Sequence, residues 1–201
     1  KAAGEMEAAR STVTITGGTF NLTKNNEWSN GVELSATELK ITGGTFNCRV
    51  GVADAAYVEA NATISNGTFN QPVTISNGAD VTITNGNFNS DFYLKVSGYK
   101  VVAPTAKISG GVFSGTVKVT SNTQYTGYEA YAECEISGGS FDATKMTVEE
   151  DAKVSISGGT FANANSESAT IEVGKYLEEG VTLNDDGTVS KPSTAVAKIG
   201  D

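Results

Sequence analysis

Seven near-copies of one hexapeptide, Ile-Thr/Ser-Gly/Asn-Gly-X-Phe, constrain this chain more than any other feature. The first is Ile15-Thr16-Gly17-Gly18-Thr19-Phe20, and the later copies end in Phe46, Phe69, Phe88, Phe113, Phe141 and Phe161. Successive phenylalanines stand 26, 23, 19, 25, 28 and 20 residues apart. Recurrence of one unit at that period is the signature of a solenoid, because one unit cannot bury its apolar face alone and must stack on its neighbours.

The columns of the repeat are readable one by one. The second turn position is always glycine, from Gly18 to Gly159, and the first is only glycine or asparagine (Gly17, Gly43, Asn66, Asn85, Gly110, Gly138, Gly158). These residues enter positive φ at least cost, so the pair predicts a tight turn with left-handed backbone. Before each turn the residues alternate, as in Val13-Thr14-Ile15-Thr16, the period-two pattern of a half-buried strand. The Ile column (Ile15, Ile41, Ile64, Ile83, Ile108, Ile136, Ile156) therefore faces in, with the Thr or Ser after each facing out, and the Phe past the turn points back into the core.

A further strand follows most turns: Val73-Thr74-Ile75, Val117-Lys118-Val119, Met146-Thr147-Val148 and Ile171-Glu172-Val173. The expected fold is all-β, a single-stranded right-handed parallel β-helix of about seven or eight coils with terminal caps; the hand follows from the strong preference of parallel crossovers. Seven coils at the ~4.8 Å strand spacing would stand about 34 Å tall. The predicted organisation is an N-terminal cap over 1–12, with Lys1 to Arg10 a short helix, and β-helix repeats over 13–173. A cap and β-hairpin over 174–190 follow, with Asn184-Asp185-Asp186-Gly187 as the turn, and 191–201 reads as a linker.

Charge narrows the function classes. Fourteen Lys and Arg against 23 Asp and Glu leave a net charge of −9, the wrong sign for nucleic acid or an anionic membrane surface. No apolar run approaches the ~18 residues of a membrane span and no signal peptide is present, so a soluble chain is expected, and a monomer. Cys134 stands two before Ile136 and Cys48 two after Phe46, both in the inward phase. Four coils, about 19 Å, separate them against the ~7 Å that a disulfide allows, so two buried thiols are expected.

Histidine is absent, which removes the commonest general base and transition-metal ligand. Only Arg10 and Arg49 supply guanidinium groups, and Asp54, Asp80, Asp91, Asp142 and Asp151 occur singly. Nothing singles out the paired carboxyls of a glycosidase. Glu149-Glu150-Asp151 and Asp185-Asp186 read as solvated turn acids, with calcium as the alternative, so no catalytic residue, metal or cofactor is assigned. The outward Thr/Ser column hints at ice binding, but the column beside it (Thr14, Lys40, Thr63, Thr82, Lys107, Glu135, Ser155) mixes hydroxyls with both charges and argues against it. The asparagines after Phe (Asn21, Asn47, Asn70, Asn89) read as a structural amide ladder.

The coils, followed by Lys175-Tyr176-Leu177-Glu178-Glu179-Gly180 and Asn184-Asp185-Asp186-Gly187-Thr188-Val189, resemble the β-helical repeat modules of large multi-module surface proteins of Gram-positive gut bacteria. Ala195 to Asp201 resembles the start of a following module. The resemblance implies an extracellular fragment at the bacterial cell surface and brings no catalytic motif. Seven of eight Phe are committed to the repeat, which leaves Trp28, in the loop Lys24 to Gly31, and Tyr125, Tyr128 and Tyr131, in the insertion Asn122 to Ala132, as the candidate ligand-binding residues. They are also ordinary loop anchors. The expected function is adhesion to a host glycan or host protein, an immunoglobulin among the candidates. The alternatives are a passive stalk and, third, a polysaccharide-active enzyme.

Overall fold

The seven isoleucines of the repeat stand in one file. Ile15, Ile41, Ile64, Ile83, Ile108, Ile136 and Ile156 pair successively, each in register with the next, along parallel strands. The computed structural model describes residues 11–22, 31–35, 37–53, 60–98, 101–124 and 126–192, which form an all-β parallel solenoid of about six turns. The residues read as an N-terminal cap helix, 1–10, and all but the first two residues of the 191–201 tail lie outside the described residues.

Each coil has three faces. In one coil the Ile strand is Asp80–Ile83, the Phe strand beyond the turn is Asn87–Phe88, and a third strand, Phe92–Lys95, completes the circuit. In two coils the Ile and Phe strands fuse through the turn into Thr105–Phe113 and Glu133–Asp142. The Phe rings form a stacked column, with successive centroids 4.4 to 5.1 Å apart and planes within 13° of parallel. That spacing is imposed by the ladder, since ring and backbone repeat together.

The third face runs through Val32, Val50, Val73, Phe92, Val117 and Met146 in register. Its strands include Val32–Ser35, Val50–Ala53 and Phe92–Lys95 beside Val73–Ser76, Val117–Val119 and Met146–Val148, three of the four further strands that the alternation pattern singles out. Phe92, the one phenylalanine outside the hexapeptide, sits edge-on to Phe88 and Phe113 at 5.9 and 5.6 Å. It locks the third face against the Phe column in the T-shaped geometry that ring quadrupoles favour.

Two expectations need correction. The turn pair is not left-handed at both positions. Only the second glycine has positive φ, from +98° at Gly18 to +137° at Gly86, and neither Asn66 nor Asn85 does. Where glycine holds the first position above another coil the reason is different: a Cβ on Gly110 would lie 2.2 Å from the Thr84 carbonyl oxygen one coil below. Asn66 and Asn85 instead accept a hydrogen bond from the following glycine N–H, at 2.8 and 2.9 Å. Secondly, Ile171-Glu172-Val173 is no strand. Ile171 and Val173 are buried, but Val173–Tyr176 is a 3-10 turn that leads the chain across the end of the solenoid.

That end is closed by the chain itself. Leu177 bridges Ile156, Glu178 N–H donates to the Ile156 carbonyl at 3.0 Å, and Thr188–Ser190 lies antiparallel on Gly159–Ala162. Thr182–Leu183 completes the hairpin. On the Phe face this antiparallel pair ends the parallel ladder, leaving the two-residue strand Thr182–Leu183 at its edge.

Candidate functional site

Insertions sort by corner. Between the Phe strand and the third face only two or three residues intervene in most coils, and the asparagine ladder occupies this corner. Asn47 Nδ2 donates to Asn21 Oδ1 at 2.8 Å, Asn70 to Asn47 at 2.7 Å and Asn89 to Asn70 at 2.8 Å. The ladder stops where Ser114 follows Phe113. In the first coil this corner carries a long excursion, leaving after Leu22 and rejoining at Gly31. Its neck is tight, since a Cβ on Gly31 would fall 2.3 Å from Cys48 Cβ. Trp28, within the excursion, lies outside the described residues.

The corner between the third face and the Ile face holds the other variable segments. After Val117–Val119 the chain leaves at Thr120 and returns as Glu133–Asp142. Between them the chain forms an antiparallel β-hairpin in which Ser121 pairs with Tyr131 and Asn122 with Ala130. Its root is fixed from both sides. Asn122 Nδ2 donates to the Gly98 carbonyl at 2.7 Å, towards the earlier coil, and Ser121 Oγ to the Glu150 carbonyl at 2.7 Å, towards the later one. Buried Thr120 accepts from Val96 N–H at 2.9 Å.

Glu149 reinforces the root by accepting from Ser121 N–H at 3.0 Å and pairing with Lys118 at 2.9 Å. Partial burial acts to raise its carboxyl, but the bonds from Lys118 and Ser121 outweigh that and hold it below the usual carboxylate range. Nearer the tip, Glu129 accepts from Gly127 N–H at 2.9 Å, and backbone hydrogen bonds hold its carboxyl low as well.

The hairpin separates the tyrosines. Tyr128 is 41% exposed near the tip, Tyr131 is half-buried in the returning strand, and Tyr125 lies outside the described residues. The Trp28 excursion and the Tyr hairpin leave opposite edges of the third face, four strands apart in its order, about 19 Å at the sheet spacing. Their roots are therefore not brought together. Val102, 67% exposed, lies four residues beyond Gly98, whose carbonyl accepts from the Asn122 amide.

Two polar groupings escaped the reading of single columns. On the outer surface of the Ile face a groove of about 460 Å³ is lined by Asp80, Thr82, Thr105, Lys107, Glu133 and Glu135. Its charges are internally engaged: Thr105 Oγ1 donates to Asp80, Lys107 faces Glu135 at 3.6 Å, and Lys153 pairs with Glu133 at 2.5 Å. On the third face, Tyr93 Oη donates to Asp91 Oδ2 at 2.6 Å and Thr116 N–H to Asp91 Oδ1 at 2.9 Å. Bonding to Asp91 pushes the Tyr93 phenol up to about 12. Partial burial acts to raise the Asp91 carboxyl, but its bonds from Tyr93 and Thr116 prevail and lower it. The groupings join residues 20 or more apart in sequence, or an i,i+2 pair with a distant backbone N–H, so only stacking reveals them.

Cys48 and Cys134 are free thiols, both buried, as the inward phase predicts. Among the described residues no three His, Cys, Asp or Glu side chains are placed to hold a metal ion, and no helix is long and apolar enough to cross a membrane. No protein-family model, curated protein or solved structure matches this chain.

Proposed function

We propose that the chain is a non-catalytic recognition module at the surface of a bacterial cell, binding a host glycan or host protein through the Tyr hairpin. One observation carries the reading: the largest departure from the solenoid is an arm bonded to both neighbouring coils at its root that holds Tyr128 out towards solvent. An arm whose backbone is already ordered loses little entropy on binding, and a rigid aromatic near its tip is the residue type that dominates hot spots. In this reading the solenoid is right-handed, has seven or eight coils, and serves as a monomeric scaffold within a longer surface protein.

The test is binding of the isolated protein to arrays of host glycans and host proteins, immunoglobulins included. For any ligand found, Tyr128→Ala should weaken binding by about thirtyfold, roughly 2 kcal/mol, with little change in melting temperature. Tyr131→Ala, at the half-buried root, should lower the melting temperature instead. A ligand indifferent to Tyr128 would move the site elsewhere.

A second reading is a passive stalk. It is favoured by the Ile face, where Lys107, Lys153, Glu133 and Glu135 engage one another rather than standing open to a ligand. Failure to bind any array component would select it. A polysaccharide-active enzyme comes third, and release of reducing or unsaturated ends from pectin, alginate or mucin glycans, abolished by one Asp→Asn change, would establish it.

A further inference from the structure

The two ends of the solenoid are built differently. At the C-terminal end Lys153–Ile156 and Met146–Val148 have a strand partner on one side only, but the following chain covers them: Leu177 bridges Ile156, Thr188–Ser190 lies along Gly159–Ala162, Thr170 bonds to the Ala143 carbonyl, and Met146, Ile156 and Phe161 are fully buried. At the other end, among the described residues, each strand of the first coil has a neighbour on one side only. Ser11–Ile15 pairs with Thr37–Ile41, Thr19–Asn21 with Thr45–Asn47 and Val32–Ser35 with Val50–Ala53. Val13, Ile15, Phe20 and Val32 are only partly buried, whereas Leu39, Ile41, Phe46 and Val50, one rung further in, are fully buried.

The hydrogen-bond pattern gives this end a direction. Thr42, Ser65 and Thr84 N–H each donate to the Ile carbonyl one coil earlier; Thr45 and Thr68 donate to the preceding turn glycine; Asn70 and Asn89 donate to the preceding Phe carbonyl. Their counterparts in the first coil are Thr16, Thr19 and Asn21, whose N–H groups point away from the solenoid and have no acceptor among the described residues. The Asn21 side chain repeats the pattern, its Oδ1 accepting from Asn47 while its Nδ2 begins the ladder with no acceptor among the described residues. Among the described residues the Phe20 ring stacks on one face only, against Phe46 at 4.8 Å.

We propose that the N-terminal end is a docking surface for one further coil of the same repeat, presented parallel and in register by another segment of polypeptide. The chemistry of the open columns names the occupant: a branched aliphatic over Ile15, an aromatic ring over Phe20, an amide oxygen for Asn21 Nδ2, and carbonyls for the N–H groups of Thr16, Thr19 and Asn21. The aliphatic, the ring and the carbonyls are what each coil of this repeat presents to the next, and the amide oxygen is what Asn21, Asn47 and Asn70 present to theirs, so the surface continues the coil-to-coil interface already formed along the solenoid. A second copy of the chain does not fit. Its C-terminal end is closed, and two N-terminal ends meeting about a two-fold axis would reverse the order of the three faces, so that at most one column meets its like.

The experiment titrates the isotope-labelled protein with a synthetic peptide spanning Val73 to Asn89, one short coil. The amides of Thr16, Thr19 and Asn21 should exchange quickly in the free protein and shift on titration, with exchange slowed about tenfold or more at saturation. The same peptide carrying Phe88→Ala should bind about tenfold more weakly, a control that leaves the protein itself unaltered. Slow exchange at these amides in the free monomer would show the end covered by the chain's own residues and overturn the proposal. So would a dimer built on this end, or the absence of shifts at about 1 mM peptide.

Discussion

Two residue columns do work that their residue type alone does not announce. Gly110 is glycine because the Thr84 carbonyl of the coil below occupies the space of a Cβ, and Gly111 because its φ is +102°. Gly110→Ala should therefore cost about 1–3 kcal/mol through a forced backbone shift. Asn85→Gly, which loses one bond to the Gly86 N–H, should cost about 1 kcal/mol. Urea titration separates the two. In the core, Phe88→Ala should cost roughly 3–5 kcal/mol, since the ring is stacked on Phe69 and Phe113 and met edge-on by Phe92, and the ladder prevents collapse into the cavity. Cys134 carries a pH dependence. Burial, with Glu135 nearby, pushes its thiol up to about 12 from an ordinary value of 9.0. The folded state thus favours the protonated thiol, and that contribution to stability is complete below pH 9 and is lost as pH climbs towards 12. Alkaline unfolding should begin at higher pH in Cys134→Ala than in the parent protein, and the thiol should resist iodoacetamide until the chain unfolds.

The asparagine ladder and the Tyr hairpin show how one corner is stapled and another is left to vary. The ladder amides run head to tail along successive coils at the Phe corner, so Asn47 belongs to two hydrogen bonds, one on each side. Asn47→Ala removes both and leaves Asn21 and Asn70 without their neighbour. Because the ladder is exposed and water substitutes for the lost partners, the cost should be only about 1 kcal/mol, read as a lower urea midpoint with an unchanged slope. At the opposite corner the hairpin root bonds to Gly98 and Glu150 without entering the Ile or Phe columns. Insertion there leaves the core register untouched, which is why repeat lengths vary while Ile pairs with Ile.

For the whole molecule, stability is a sum over neighbouring coils together with the treatment of the two ends. The C-terminal hairpin is the element that stops the ladder. Truncation after Asn165 should expose the unpaired edge of Gly159–Ala162, and the shortened protein should self-associate in a concentration-dependent manner by sedimentation, more strongly than the full chain does. A truncated chain that remained monomeric and equally stable would show the hairpin to be dispensable.

The solenoid, its Ile and Phe columns, the buried thiols and the amide ladder were legible in the sequence because each is a repeated local pattern. A column of seven like residues in one chain has only one inexpensive arrangement, like upon like. Trp28 and the tyrosines were legible only as aromatics left over after the core was assigned. Their sequence positions carried no sign that Tyr128 is held out on an arm while Tyr131 is folded into its root, or that the two insertions leave different corners. Those properties depend on which edge of the coil an insertion leaves, and that edge is defined by strands such as Val32–Ser35 and Phe92–Lys95, which lie outside the hexapeptide and at variable distance from it, so that repetition does not mark them. The same holds for the role of Phe92, the paired charges of the Ile face, the Asp91–Tyr93 bond and the non-strand course of Ile171 to Val173. Each rests on contacts between coils or across the end of the stack, and a period along the chain states that neighbours exist without stating what the irregular residues meet there.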